Sequence, residues 1–209
     1  MNTAAVFGWL LASYLVGSIP TSFIVGKLFR GIDLRQVGSR NLGATNLYRT
    51  LGWKFAVPVG LFDVAKGVIP VAVFGPQVPG IVLFPVYCGI SAVVGHVFSV
   101  FVGFKGGKGV ATAAGMFLAL APFALLAVTV VWTVTVWLTG YVSLASVLAA
   151  SLFPVAAALL HPNRPEPLWF DILIAAFLVL KHRSNIQRLL RGTENRFGSR
   201  GRPHETAAS

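Results

Sequence analysis

Residues 110–139 read VATAAGMFLALAPFALLAVTVVWTVTVWLT, thirty positions without a charged side chain. A helix crosses a hydrocarbon layer about 30 Å thick in about 20 residues, so the stretch is too long for one crossing. Pro122 divides it, because proline lacks an N–H and clashes with the preceding turn. The stretch predicts a short helix to about Ala121 and a full one from about Phe123 to Thr139. Toward the amino end lie three more apolar runs, Ile81–Val102, Phe55–Phe74 and Ala4–Gly26; the first two are joined by a turn containing Gly75, Pro76, Pro79 and Gly80. Ala4–Gly26 has no basic region before it and is long enough to cross, so it reads as a retained helix and not a signal peptide. Toward the carboxy end, Val142–Leu160 and the shorter Leu168–Leu180 complete the set.

Of 209 residues, 56% are hydrophobic and 11% charged, whereas soluble domains carry about 25% charged residues. Such a chain lacks the polar surface to stay dissolved, which makes it an all-α, polytopic integral membrane protein. Its single cysteine, Cys88, excludes a disulfide framework, a Cys-rich metal site and a CxxC pair.

A net charge of +11 would suggest nucleic acid if the basic residues shared one helix or tail. Instead, 15 of the 17 Lys and Arg fall in three separate segments, Lys27–Lys54, Lys105–Lys108 and Lys181–Arg202. Cytoplasmic loops carry such an excess and meet anionic lipid there, so no nucleic-acid partner is expected. An even number of crossings must then separate the segments at Lys105 and Lys181, and the division at Pro122 supplies it. About seven membrane segments result, with the amino terminus outside and the carboxy terminus cytoplasmic. A five-span arrangement with the short stretches re-entrant or interfacial also satisfies parity. No internal repeat is evident, so residues 1–209 read as one domain, with 197–209 a disordered tail.

Chemistry is expected in the three basic segments. In the first, read as a long loop whose helical period Gly31, Gly38, Gly43 and Gly52 break, Ser39, Arg40, Asn41, Thr45, Asn46 and Arg49 cluster. This density of hydroxyl, amide and guanidinium donors suits a phosphate ester bearing hydroxyls; a solvated loop is the alternative. In the second, Lys105, Gly106, Gly107, Lys108 and Gly109 lead into a helix start and read as an anion cradle or as a tight turn. It matches neither GxxxxGK[ST] nor GxGxxG. In the third, His182 and Asn185 share a face of an amphipathic helix that also suits an interfacial anchor. Asp63 and Lys66, three apart within a span, are expected to pair inside the bundle. His96 reads as a packing residue, and with no Cys or carboxylate partner near it no metal is expected.

The runs Gly17-Ser-Ile-Pro, Val37-Gly-Ser-Arg-Asn-Leu-Gly-Ala-Thr-Asn, Phe62-Asp-Val-Ala-Lys-Gly, Gly95-His, Gly103-Phe-Lys-Gly-Gly-Lys-Gly-Val-Ala-Thr and Lys181-His-Arg-Ser-Asn-Ile resemble the bacterial acyl-phosphate:glycerol-3-phosphate acyltransferase (PlsY) family, in order. The resemblance implies transfer of a fatty acyl group from acyl phosphate to the 1-hydroxyl of sn-glycerol-3-phosphate. Lysophosphatidic acid and phosphate are the products, in phospholipid biosynthesis at the bacterial inner membrane, with the active site cytoplasmic, no cofactor and no obligate protein partner. It places essential residues at Ser39, Arg49, His182 and Asn185, a phosphate loop at Lys105–Gly109 and a supporting glutamate at Glu194. Arg40 stands where the family often has Gly, and Ser184 where an acid is common. Either His182 or the donor's own phosphate takes the hydroxyl proton. Two rival readings remain: an acyltransferase of the His-x4-Asp type, for which only His161-Pro-Asn-Arg-Pro-Glu166 is available, and a transporter of a phosphorylated solute.

Overall fold

The protein is described here by a computed structural model covering residues 3–197, so all but the first residue of the expected tail at 197–209 lies outside the described residues. Every regular element is helical. α1 (Thr3–Ser18) and α2 (Thr21–Arg30) are separated only by Ile19 and Pro20. α3 is Ala44–Leu51, and α4 (Trp53–Ile69) continues through a wider turn, Pro70–Phe74, as far as Gln77. Then follow α5 (Phe84–Val97), α6 (Val110–Leu120), α7 (Pro122–Thr139), α8 (Val142–Leu160), α9 (Leu168–Lys181) and α10 (Arg183–Leu190).

Among the described residues, five segments are long and apolar enough to cross a membrane: Thr3–Arg30, Trp53–Gln77, Phe84–Val102, Pro122–Thr139 and Val142–Leu160. At 1.5 Å per residue, the 11 residues of α6 reach about 16 Å and the 14 of α9 about 21 Å. Both fall short of the hydrocarbon thickness. The break before Pro122 is present: Ala121 leaves helical geometry at φ −144°, and Pro122 begins α7. One expectation is corrected. The loop from Lys27 to Lys54 contains a helix, because Gly43 and Gly52 bracket α3 as its caps and do not interrupt it.

Two backbone-close crossings join the bundle. A Cβ on Gly17 would stand 2.1 Å from the Ala92 carbonyl oxygen of α5, and one on Gly115 would stand 1.9 Å from that of Val64 in α4. Small residues at such crossings let helices gain dispersion contact where lipid supplies no hydrophobic drive. The expected Asp63–Lys66 pair is present at 2.8 Å and almost wholly buried. Lys66 Nζ also donates to the Ile19 carbonyl at 2.8 Å and to His96 Nδ1 at 3.2 Å, while Thr21 Oγ1 donates to Asp63. The pair therefore ties the α1–α2 break to α4 and α5. Helices α7, α8 and α9 alternate in direction. The α7–α8 turn meets the carboxy segment, where Phe197 N–H donates to the Gly140 carbonyl at 2.6 Å. At the other end, the rings of Phe123 and His161 stack at 5.7 Å.

Candidate functional site

The three basic segments converge on one cavity of about 570 Å3. Its mouth is built first by the loop before α3. Asn46, buried at the base of this loop, accepts from Ser39 N–H at 2.9 Å, and its Nδ2 lies 3.1 Å from the carbonyls of Leu34, Val37 and Asn41. Its amide is thus committed to folding the loop, which corrects the expectation that it offers a donor to phosphate. Ser39, Asn41, Thr45 and Arg49 line the cavity, the last two four residues apart on one face of α3. Arg40 takes φ +57°, so the left-handed backbone that glycine favours is formed here by arginine. Arg49 Nη2 donates to the Asn195 carbonyl at 3.1 Å, while its buried Nε has no partner. Burial lowers the guanidinium pKa, and the Glu194 charge opposes that shift.

The Gly-rich segment divides. Lys108 and Gly109 line the cavity together with Val110 and Ala111, whose N–H groups, at the positive end of α6, have no intrahelical acceptor. Gly106 N–H instead donates to the Val97 carbonyl and Gly107 N–H to that of His96, both at 3.1 Å. Lys105 is exposed and, with Gly106, faces a separate cavity of about 420 Å3 beside Arg35 and Arg40. Of the segment Lys105–Gly109 that the sequence suggested as a cradle, Lys108 and Gly109 line this cavity together with the first turn of α6, and Lys105, Gly106 and Gly107 do not. A Cβ on Gly107 would lie 2.2 Å from His96 Nε2 and 2.5 Å from the Leu42 carbonyl oxygen, so this glycine serves close packing beneath the site.

The carboxy segment supplies the third wall. His182 occupies the break between α9 and α10 and is 3% exposed. Its Nδ1 lies 2.8 Å from the Leu178 carbonyl oxygen, an acceptor, so Nδ1 carries the proton and Nε2 is left with a lone pair. Burial first, then the Lys108 charge, lowers the imidazole pKa to about 4. Lys108 donates to Asn185 Oδ1, and Asn185 Nδ2 donates to Glu194 Oε1 at 2.7 Å. Glu194 also accepts from Ser143 Oγ at 2.9 Å and from Arg188 Nε at 2.6 Å. Burial alone would raise its pKa, but these three hydrogen bonds outweigh it and hold the group below its ordinary value. Burial, opposed by Glu194 and aided by Arg188, Arg49 and Lys181, lowers Lys108 to about 8.

Below this mouth the cavity is apolar, descending past Trp132, Leu178, Ala175, Leu125, Phe153 and Phe117. A charged head and an apolar tail therefore share one chamber. Asp63 and His96 reach its wall too, but are engaged with Lys66. Sequence reasoning missed Ser143 and Arg188 as partners of Glu194. Ser143 opens an apolar span with no signal of its role, whereas Arg188 is three residues from Asn185 on α10. The His161–Glu166 segment sits at the opposite end, and Glu166 faces Arg164 at 3.6 Å, which removes the basis for a His-x4-Asp reading.

The model of the family "Glycerol-3-phosphate acyltransferase" matches residues 7–192. The glycerol-3-phosphate acyltransferase of Trichlorobacter lovleyi is 47% identical over 198 residues, covering 93% of this chain and 98% of the relative. That of Chlorobium luteolum is 42% identical, covering 90% and 94%. A crystal structure of PlsY (YgiH), an integral membrane glycerol 3-phosphate acyltransferase, in its glycerol 3-phosphate form superposes with a TM-score of 0.84 at 40% identity, covering 92% of this chain and 96% of that one. Its lysophosphatidic acid form superposes with a TM-score of 0.81 at 38% identity, covering 92% and 95%.

Proposed function

The chain belongs to the glycerol-3-phosphate acyltransferase family of integral membrane enzymes of lipid biosynthesis, and we propose that it moves a fatty acyl group from acyl phosphate to the 1-hydroxyl of sn-glycerol-3-phosphate. The observation that carries this reading is the single chamber in which Ser39, Arg49, Lys108, His182 and Asn185 surround the mouth of an apolar channel. Two anions fit at the mouth, one of them bearing a tail that fits below.

Arg49, with its unpartnered buried Nε, and Lys108, beside the α6 amino end, hold the phosphates. Asn185 orients Lys108, and Glu194 orients Asn185. Ser39 and Asn41 direct the glycerol hydroxyls. His182 Nε2 accepts the hydrogen bond of the attacking hydroxyl. The oxygen bonds to the acyl carbon, the bond from that carbon to the phosphate oxygen breaks, and phosphate leaves with the electron pair of that bond. The donor's phosphate adjoins the attacking hydroxyl in the ternary complex, and a phosphoryl group with a second pKa of about 6 is poised to accept a proton near pH 7. The hydroxyl proton accordingly goes to the donor's own phosphate, and His182 aligns the nucleophile. Much of the rate gain comes from holding the two substrates together.

The site faces the cytoplasm of a bacterial inner membrane, and residues 1–209 act as one domain. α6 and α9, though shorter than the hydrocarbon is thick, connect the same two ends of the bundle as α7 and α8 and complete seven segments, with the amino terminus outside. This count is supported by the alternation of α7, α8 and α9, whose ends meet Glu194 and Phe197 on one side and stack Phe123 on His161 on the other. Purified protein in lipid, supplied with acyl phosphate and glycerol-3-phosphate, tests the activity. Phosphate release that requires both substrates and yields lysophosphatidic acid is expected. Turnover with acyl-CoA but not acyl phosphate overturns the donor assignment, and solute flux without turnover restores the transporter.

A further inference from the structure

At the end of the chamber remote from the polar mouth lies a group of charges that catalysis does not use. Asp171, in the first turn of α9, is 2% exposed and belongs to the cavity wall. It pairs with Arg164, whose side chain is 8% exposed and whose other arm faces Glu166 at 3.6 Å. Arg164 Nη1 and Glu166 Oε1 are buried without hydrogen-bond partners. Charges so enclosed are costly in a membrane protein and call for a reason.

Their depth supplies one. Asp171, Ala175, Leu178 and His182 all line the cavity and follow one another at four, three and four residues, a single stripe down one face of α9. From His182 to Asp171 this stripe descends about 16 Å. On α8, the wall runs from Ser143, which bonds Glu194, to Phe153, about 15 Å by the same rise. Phe153 stacks on Phe117 of α6 at 3.7 Å, and both rings line the channel there. A bilayer core about 30 Å thick allots about 15 Å to the acyl chains of one leaflet. The channel is therefore as deep as one membrane-lipid chain is long, and at its floor stands Asp171, held from behind by Arg164.

We infer that the Arg164–Asp171 pair forms the floor of the acyl-chain seat and sets the longest chain that the enzyme transfers well; this rests on the proposed acyl-phosphate reading. A chain end pressing on apolar side chains displaces them by rotating χ angles. Pressing on the pair requires separating buried opposite charges, and that is the costlier movement. Each methylene beyond the floor finds no apolar seat, which lowers kcat/KM by up to about fourfold.

The test measures kcat/KM for a homologous series of saturated acyl phosphates in the wild type and two variants, reading the ratio of long to short donors within each protein. In the triple variant Arg164→Ala/Glu166→Gln/Asp171→Ala, which leaves no member of the cluster as a lone charge, the long-chain cut-off should relax by up to about fourfold per added methylene. In Ala175→Leu, which keeps the pair and narrows the seat one turn above it, the cut-off should move to shorter chains by up to about 6 Å of chain, with KM for glycerol-3-phosphate little changed. A shift in either direction as stated supports the floor, even if only one variant is stable enough to assay. Turnover with an unchanged chain-length profile in the variants overturns it while leaving the acyl-phosphate reading intact. A wild type inactive with every donor in the series sinks that reading, and this inference with it.

Discussion

The charge on Lys108 is the feature most open to direct titration. Burial lowers its pKa to about 8 although Glu194 pulls the other way. If the ammonium holds substrate phosphate, kcat/KM for glycerol-3-phosphate should be level just below pH 8 and fall about tenfold per pH unit above it, since this ratio reports the free enzyme. The sign follows because the binding form is the protonated one, which is lost as pH rises. In the complex, a phosphate beside the ammonium raises its pKa, so the corresponding limb in kcat should appear at higher pH. Lys108→Arg keeps a charge that does not titrate below pH 12 and should remove the alkaline limb, with some loss of rate from altered geometry. Lys108→Met should lower kcat/KM by about 10- to 150-fold, the worth of a charged hydrogen bond, and flatten what remains. Initial-rate phosphate release across pH 6 to about 9.5 in a fixed lipid environment provides the assay. A wild-type profile level to the top of that range, or an alkaline limb surviving in Lys108→Arg, would refute the assignment.

Four further outcomes are expected. His182→Gln should keep kcat within about tenfold with a raised KM for glycerol-3-phosphate, because an amide oxygen replaces the Nε2 acceptor; unchanged KM with negligible kcat makes His182 the base, for which His182→Ala would cost about 10²- to 10⁴-fold. Gly107→Ala should lower thermal stability in detergent by about 1–3 kcal/mol through collision with His96 and Leu42, whereas a stable protein with a raised KM would return this glycine to the phosphate site. Arg40→Gly should relieve about 1 kcal/mol of left-handed strain and raise Tm by about 2–4 °C; a fall in Tm contradicts this. In a Cys88→Ala background, cysteine at Asn163 should react with an impermeant thiol reagent from outside intact cells and cysteine at Gln187 should not; the reverse pattern inverts the topology.

Much of the fold is legible because membrane helices announce themselves by length and apolarity. Val142–Leu160 is present with the bounds read from the sequence, and the break before Pro122 follows from proline chemistry. The Asp63–Lys66 pair follows from the cost of isolated charge in a span. α3 was hidden because glycines that cap a helix and glycines that break one look alike; the clue was Leu47 and Leu51, four apart between Gly43 and Gly52. The site divides in the same way. Residue types pointed to Ser39, Arg49, Lys108, His182 and Asn185, which do line one cavity. What they could not reveal is which polar atoms the fold itself consumes, as it does the amide of Asn46 and the N–H groups of Gly106 and Gly107. Nor could spacing join Ser143 to Glu194, a contact made only once α8 stands beside the carboxy segment.

The hydrogen-bond chain from Lys108 through Asn185 to Glu194 has a consequence for biogenesis. Its members come from two separate stretches of chain, and Ser143 adds a third. During synthesis, the loop bearing Ser39 reaches the membrane long before Glu194 has been translated. Until that last carboxylate docks, Asn185 lacks its acceptor and Lys108 its alignment. A chain stalled at any earlier helix lacks Glu194, and the hydrogen-bonded network is complete only when the carboxy segment has packed beside α8.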